Sequence, residues 1–325
     1  MAHTATIDAA VYELRGGRVR VDGTAYEISG GRSRREGTIC DLGFETVHPV
    51  LEKNDWATIS RVSQQGLAAS VWSVGDTKSV HLLGAVGLSD PVTFDGTYHA
   101  FILGFDHNEK WESTGIHLGL FAADRETPLC LTDSHYGADA ADGQLWFGIN
   151  HSQDTAASSG GWHKSYMRYG LLGGTDNATI TVPTAACVET PRAYSLMAAL
   201  PEALRSVLQV MVKYTATIPR AAETGASTVS ATLEYLTLPA AYEVSGRRSA
   251  LHPAEEYSYQ KQYDYFAQGV FGGSVADQGG NAGRYFWTRT INRSDRTVYQ
   301  LYASPTDTIE QSMTCSYGIL AVCKV

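Results

Sequence analysis

The sequence predicts an α+β protein: an N-terminal β-meander, then a larger body of short strands, two or three helices and long loops. Three observations predict it. A fourteen-residue unit recurs near the N-terminus, with paired glycines and alternating apolar positions. Short β-type runs recur from there to the C-terminus, and helical spacing is strong in one place only. Hydrophobic residues make up 43% of the 325, enough for a substantial core.

The repeat comes first. Ala10-Val11-Tyr12-Glu13-Leu14-Arg15 is echoed by Thr24-Ala25-Tyr26-Glu27-Ile28-Ser29 and, more loosely, by Thr38-Ile39-Cys40-Asp41-Leu42-Gly43. Gly16-Gly17-Arg18 recurs as Gly30-Gly31-Arg32, and the glycines suit the positive φ of tight turns. Residues 1–45 therefore read as a β-repeat too small to stand alone, built to lie against something larger. Arg18, Arg20, Arg32, Arg34 and Arg35 make it locally basic within an acidic chain. They are either charges that blunt strand edges or a strip for an acidic partner.

Residues 46–325 form the predicted body. The runs 56–63 and 69–74 lead to Gly75-Asp76, which reads as a hairpin turn between β-type runs, with Lys78-Ser79-Val80-His81-Leu82 as the partner strand. Residues 98–105 read as a buried central strand. Residues 122–160, rich in Ala, Ser, Asp and Gly, read as a long surface excursion. A short helix is expected to open at 160–168. The strongest helix is predicted over 200–214, with Pro201 in its first turn and Leu204, Val207, Leu208 and Met211 as its apolar stripe. A strand is expected at 232–238 and helical structure at 257–267. β-type runs follow at 285–289, 297–302 and 318–322.

Charge and cysteine usage exclude several classes. The net charge of −9 argues against a mainly electrostatic nucleic-acid binder and against a polybasic membrane anchor. The N-terminal residues have no basic stretch followed by an apolar run, and no stretch is long and apolar enough to span a bilayer. The expectation is a product kept in a cytoplasm, or released by a route that needs no signal peptide. The five cysteines are widely spaced without a CxxC pair, which is neither a disulfide framework nor a zinc signature. No cofactor or metal is predicted.

The familiar catalytic motifs GxSxG, HExxH, Walker A and GxGxxG are absent. Phe105-Asp106-His107-Asn108-Glu109 reads as a polar turn whose side chains bond their own backbone, in preference to a calcium loop. Glu255, Glu256 and Asp264 are the grouped carboxylates that glycoside hydrolysis would need, and read more readily as a solvated helix face. The richest binding composition lies near the C-terminus. An aromatic strand ends in Arg289 and enters a polar loop with Asn292 and Asp295, and Tyr299, Tyr302 and Asp307 follow. Aromatics among short polar groups suit an adaptable binding surface. For Trp287 a core role is the plainer expectation, and for Arg289 an internal salt bridge or cap.

A series of segments resembles a family of uncharacterised tailed-phage and gut-bacterial proteins. It comprises Trp56-Ala57-Thr58-Ile59-Ser60-Arg61-Val62-Ser63, Val71-Trp72-Ser73-Val74-Gly75-Asp76-Thr77-Lys78, Ile102-Leu103-Gly104-Phe105-Asp106-His107-Asn108 and Gly160-Gly161-Trp162 with Ser165-Tyr166-Met167-Arg168. Ala199-Leu200-Pro201 with Leu204, Arg205 and Val207, Lys213-Tyr214-Thr215, Phe286-Trp287-Thr288-Arg289 and Tyr317-Gly318-Ile319 complete it. The resemblance spans roughly residues 50–325. It implies a virion protein with a C-type-lectin-like C-terminal domain, a non-enzymatic role and no catalytic residues to carry over. The expected function is a virion structural protein, assembled in the host bacterial cytoplasm. It would dock on capsid or tail through the repeat (Arg18, Arg20, Tyr26, Arg32, Arg34) and display a lectin-like domain for host-surface binding or decoration. The ligand surface would use Arg289, Asn292, Asp295, Tyr299, Tyr302 and Asp307. Expected partners are other virion proteins, a host cell-surface glycan or protein, and further copies of the chain in a homo-oligomer. The alternatives are a host-surface glycan hydrolase and a purely structural decoration protein.

Overall fold

Asp55 decides where the first helix begins. Its carboxylate accepts from the Thr58 N–H at 2.7 Å, an N-cap that opens α1 (Trp56–Gln64). Trp56, Ile59, Ser60, Val62 and Ser63 form its buried face. A second short helix, α2 (Ala68–Val71), follows. The β-type reading of 69–74 is therefore corrected over 69–71, which are helical, while Trp72 at the C-cap is extended. Burial of an amphipathic face outweighs the modest helix propensity of Thr58, Ile59 and Val62. Gly75 does adopt the left-handed φ of 89° expected of a turn, but the turn joins a helix to a strand.

The structure is a computed structural model. It describes residues 18–21, 24–27, 31–35, 38–42, 47–87, 91–108, 110–121, 129, 131, 161–176, 182–217, 228–249, 254–268, 286–291, 298–304, 307–312 and 318–325. The architecture is mixed α+β, with mostly antiparallel sheets and short helices. The chain divides into two compact units, Met1–Pro49 and Val50–Val325.

In the first unit the repeat forms two separate hairpins. β1 (Arg18–Val21) pairs with β2 (Thr24–Glu27), and β3 (Gly31–Arg35) pairs with β4 (Thr38–Leu42), both antiparallel. The predicted meander is corrected to this extent: among the described residues, β2 and β3 belong to different two-stranded sheets.

The second unit is built on a five-stranded antiparallel sheet in the order β10-β15-β7-β6-β5. Its strands are β5 (Thr77–Val86), β6 (Val92–Phe105), β7 (Ile116–Phe121), β10 (Leu236–Thr237) and β15 (Ala321–Lys324). The predicted central strand at 98–105 is the second half of β6. Placing the C-terminal strand β15 beside β7 closes a sequence separation of about two hundred residues, which no local pattern encodes. Val325 reinforces it: its carbonyl accepts from the Ser63 hydroxyl, and that Oγ accepts from the Ile116 N–H at 2.7 Å.

β8 (Met211–Thr217) and β9 (Thr228–Glu234) make a hairpin of seven residue pairs. The expected helix over 200–214 is thus corrected: only Glu202–Arg205 is helical, and the chain enters β8 at Met211. Lys213 and Thr215 are buried while Val212 and Tyr214 are half-buried, a period of two that the apolar stripe concealed. A four-stranded sheet in the order β13-β12-β11-β14 completes the unit, from β11 (Phe286–Ile291), β12 (Val298–Ser304), β13 (Asp307–Ser312) and β14 (Gly318–Ile319). Phe101, Leu103, Met211, Val244, Tyr263, Phe266, Phe286, Leu320 and Val322 pack as one apolar cluster. The predicted surface excursion at 122–160 lies almost wholly outside the described residues. Its two described members, Leu129 and Leu131, are buried.

Candidate functional site

Beside that cluster the body buries charge. Eight side chains from seven segments make one connected polar network: His107 and Glu112 from the β6–β7 loop, His117 on β7, and Lys213 on β8. Glu243 comes from the helix Ala241–Ser245, Tyr263 from the segment before the helix Asp264–Ala267, Arg289 from β11 and Lys324 from β15. The side chains of Glu112, His117, Lys213, Glu243, Arg289 and Lys324 are at most 1% exposed. Ions this deep persist only when paired, because desolvation costs several kcal/mol per charge.

Glu243 is the hub. One carboxylate oxygen accepts from Arg289 at 2.6 Å and from the Ala240 N–H at 2.8 Å, which also caps its own helix. The other lies 3.4 Å from Lys213 Nζ and 3.6 Å from His107 Nε2. Burial alone would raise its pKa, but the Arg289 and Lys213 charges hold it well below the usual carboxylate range. Arg289 also donates from Nη1 to the Leu238 carbonyl at 2.9 Å and from Nε to Thr215 Oγ1 at 3.2 Å.

A directional chain leaves the hub through Tyr263. Lys213 Nζ can only donate, so the Tyr263 oxygen accepts from it at 3.1 Å. The ionised Glu112 Oε2 can only accept, so His117 Nε2–H donates to it at 3.1 Å, and Nδ1 of the neutral ring then accepts the phenolic hydrogen of Tyr263 at 3.0 Å. This assigns the tautomer of His117 from donor inventory. Burial and the Lys213 charge both depress the His117 pKa, in keeping with a neutral ring. Glu112 also accepts from the Val212 N–H at 2.8 Å and Asn108 Nδ2 at 2.9 Å, and Lys324 Nζ lies 3.6 Å away. His107 stacks on Tyr263 with centroids 3.6 Å apart, and burial pushes its pKa down to about 3. Its Nε2 has no hydrogen-bond partner among the described residues.

Two further buried sites flank this network. Glu256 accepts from the Ala216 N–H at 2.6 Å and from Gln260 Nε2 at 3.1 Å, and burial raises its pKa to about 7. Glu234 accepts from Trp162 Nε1 at 2.8 Å and Arg168 Nε at 2.9 Å, which ties the helical turns at 161–171 to β9. Both arrangements join distant segments.

Lysine, tyrosine, histidine and carboxylate in series could move a proton. Here those groups are spent on one another, and their reacting atoms are buried. What the network does is lock β7, β8, β11, β15 and two helices into one register. No group of three or more His, Cys, Asp or Glu side chains suited to a metal ion occurs among the described residues. Among them, no helix is long and apolar enough to cross a membrane.

The sequence-predicted binding residues are distributed differently. Arg289 is buried on Glu243, so a place on an exposed ligand surface is corrected to the internal salt bridge that was its plainer expectation. Trp287 is likewise in the interior. Tyr299 and Tyr302 lie on β12, opposite Gln311 and Thr308 of β13, and Asp307 opens β13 opposite Ser304. Asn292 and Asp295 lie outside the described residues. In the repeat, Arg18 stands opposite Glu27, Arg20 opposite Ala25 and Tyr26 opposite Val19. Arg32 stands opposite Asp41 and Arg34 opposite Ile39.

The carboxylate trio does not share a face. Glu255 is exposed, Glu256 is buried, and Asp264 lies 3.7 Å from Lys261 at the surface. The polar turn opening at Phe105 is corrected in its bonding: Asp106, at φ 48°, accepts from the Gly115 N–H at 2.8 Å, nine residues on, and Asn108 Nδ2 donates to the Glu112 side chain, so neither side chain bonds its own turn's backbone. The inward turn of His107 and Asn108 was not foreseen. Sequence reasoning also missed Glu112, His117, Lys213, Glu243 and Lys324. The available signal was a lone Lys or Glu inside an apolar alternating run, as in Met211-Val212-Lys213-Tyr214 and Ala321-Val322-Cys323-Lys324. No family model, no curated protein and no solved structure matches this chain.

Proposed function

We propose that this chain is a phage virion structural protein, which docks on capsid or tail through residues 1–45 and displays its body for host-surface binding or decoration. The body would be C-type-lectin-like in the sense of short strands and small helices carrying long loops. One observation carries the reading. The chain divides into a small unit of repeated two-stranded hairpins and a large unit whose clustered ionisable groups are buried on one another. Such hairpins are marginal alone and gain stability by lying on a partner. Their arginines, at every second residue of β1 and again of β3, suit an acidic one. A body held by an internal ionic network suits a rigid display platform.

The test is deletion of residues 1–45. The shortened protein should keep its body's circular dichroism spectrum and melting transition, yet be missing from purified particles by immunoblot. Normal occupancy of particles by the shortened protein would overturn the docking role.

A further inference from the structure

The network has an outer counterpart. Trp111 precedes Glu112, Tyr214 follows Lys213, and Tyr259 precedes Gln260, so each of these three buried polar side chains has an aromatic ring next to it in the chain. The three rings meet. Tyr214 and Tyr259 stack with centroids 4.5 Å apart and planes 18° from parallel, and Trp111 leans on both at 5.0 Å and 5.8 Å. Trp111 is 36% exposed, whereas the other described tryptophans, Trp56, Trp72, Trp162 and Trp287, are buried. Tyr214 and Tyr259 are half-buried, and Lys110 Nζ sits 4.7 Å over the Trp111 ring.

We propose that Trp111, Tyr214 and Tyr259 form a carbohydrate-binding platform, on which one sugar ring stacks while Lys110 contacts its hydroxyl or carboxylate substituents. The inference deepens the display reading and rests on it for the ligand's source, a host-surface glycan.

The chemistry favours a sugar. A pyranose has a face of C–H bonds, which the negative face of an aromatic ring attracts, and a rim of hydroxyls that want donors and acceptors. The platform has the matching plan. Its centre is aromatic. Among the described residues, the hydrogen bonds of Trp111 and Tyr214 run through their backbone, and none engages the indole N–H or the two phenol groups. A quaternary ammonium, the other ligand of aromatic clusters, would meet the Lys110 charge already over the indole. Three partly covered rings are also small against the roughly 800 Å² per partner of a stable protein interface.

The platform is also held in place before any ligand arrives. Glu112 is fixed by His117, Val212 and Asn108, and Lys213 by Glu243 and Tyr263. Gln260 donates to the Tyr214 carbonyl at 3.2 Å as well as to Glu256, so β8 and the turn bearing Tyr259 are joined directly beneath the stacked pair. Binding then orders few side chains, which is how a small site gains affinity. In a particle that carries many copies, even weak single sites add up.

The test uses the full-length chain and its Trp111→Ala, Trp111→Phe and Tyr259→Ala variants. The probes are methyl glycosides of glucose, galactose, N-acetylglucosamine and N-acetylneuraminic acid, and an immobilised panel of bacterial surface polysaccharides. The readouts are tryptophan fluorescence and surface binding, with a melting curve of each variant to confirm folding. The expected result is binding of at least one sugar class, weakened about tenfold or more by Trp111→Ala and Tyr259→Ala and largely kept by Trp111→Phe. Sugar binding that both alanine variants retain would overturn the platform and leave the display reading standing. Trp111-dependent binding that survives periodate oxidation of the target surface would overturn the sugar assignment in favour of a protein partner. No binding of the wild type to any glycan would overturn the platform, while particle incorporation of the 1–45 deletion judges the display reading separately.

Discussion

Replacing Glu256 by Gln removes a buried ionisable group at nearly constant volume, and its effect should change sign with pH. Glu256 sits on the turn 254–259, held by the Ala216 N–H and Gln260. Burial raises its pKa to about 7, against partial opposition from the Ala216 bond and the Arg289 charge. In the unfolded chain it ionises near its ordinary 4.5. Between those values the folded protein keeps a proton that the unfolded chain has released. Stability is therefore drained as pH rises through this window, and the loss is complete above the folded pKa. A shift of about 2.5 units at about 1.4 kcal/mol per unit amounts to roughly 3 kcal/mol. Gln cannot accept at both terminal atoms, so the variant also loses one hydrogen bond at every pH, worth about 1 kcal/mol. The variant should be about 1 kcal/mol less stable than wild type near pH 4.5 and about 2 kcal/mol more stable near pH 7.5. His107 and His117, whose pKa values burial depresses, act in the opposite direction. Below the ordinary histidine range the unfolded chain takes up protons that they refuse, so both proteins lose stability as pH falls there. That background is common to the two and cancels in their difference. Urea unfolding of the body, followed by tryptophan fluorescence from about pH 4.5 to about pH 8, measures the difference directly. A difference that stays constant across this range would refute the reasoning.

Arg289→Met should destabilise the body by about 3–5 kcal/mol, because Glu243 stays buried with its closest cation gone. The double variant Arg289→Met/Glu243→Met should cost less than the single one, and thermal melts of both provide the comparison. The thiols of Cys187 and Cys323 are buried, with pKa values pushed up to about 12 chiefly by that burial. A brief iodoacetamide pulse on the folded protein should leave both unmodified by peptide mass spectrometry, and denaturant should expose them.

How much of this was legible depends on how local each cause is. The hairpins of the repeat, the strand at 98–105 and the short helix after Gly160 rest on glycines, alternation and apolar runs, which act over a few residues. The segments 69–74 and 200–214 were misread because local propensity competed with tertiary burial. Asp55 was a readable cap that the apolar run after it obscured. Met211 continues a helical stripe on paper, yet seven pairs with β9 make it the start of a strand. The candidate site was hidden for a related reason. Arg289 stood out by composition, but its partner Glu243 lies 46 residues away, and nothing near either one announces the other.

By itself, then, the amino-acid order determined the α+β class, the repeated N-terminal hairpins, the want of familiar catalytic motifs and the positions of most strands. These follow from short-range sterics and from the period of apolar residues. Only the tertiary structure decided that β15 inserts beside β7, that Lys213 and Lys324 are interior residues, and that Trp111, Tyr214 and Tyr259 share one surface. The physical reason is that a charge or a ring takes its role from what surrounds it. Those surroundings are assembled from segments up to two hundred residues apart.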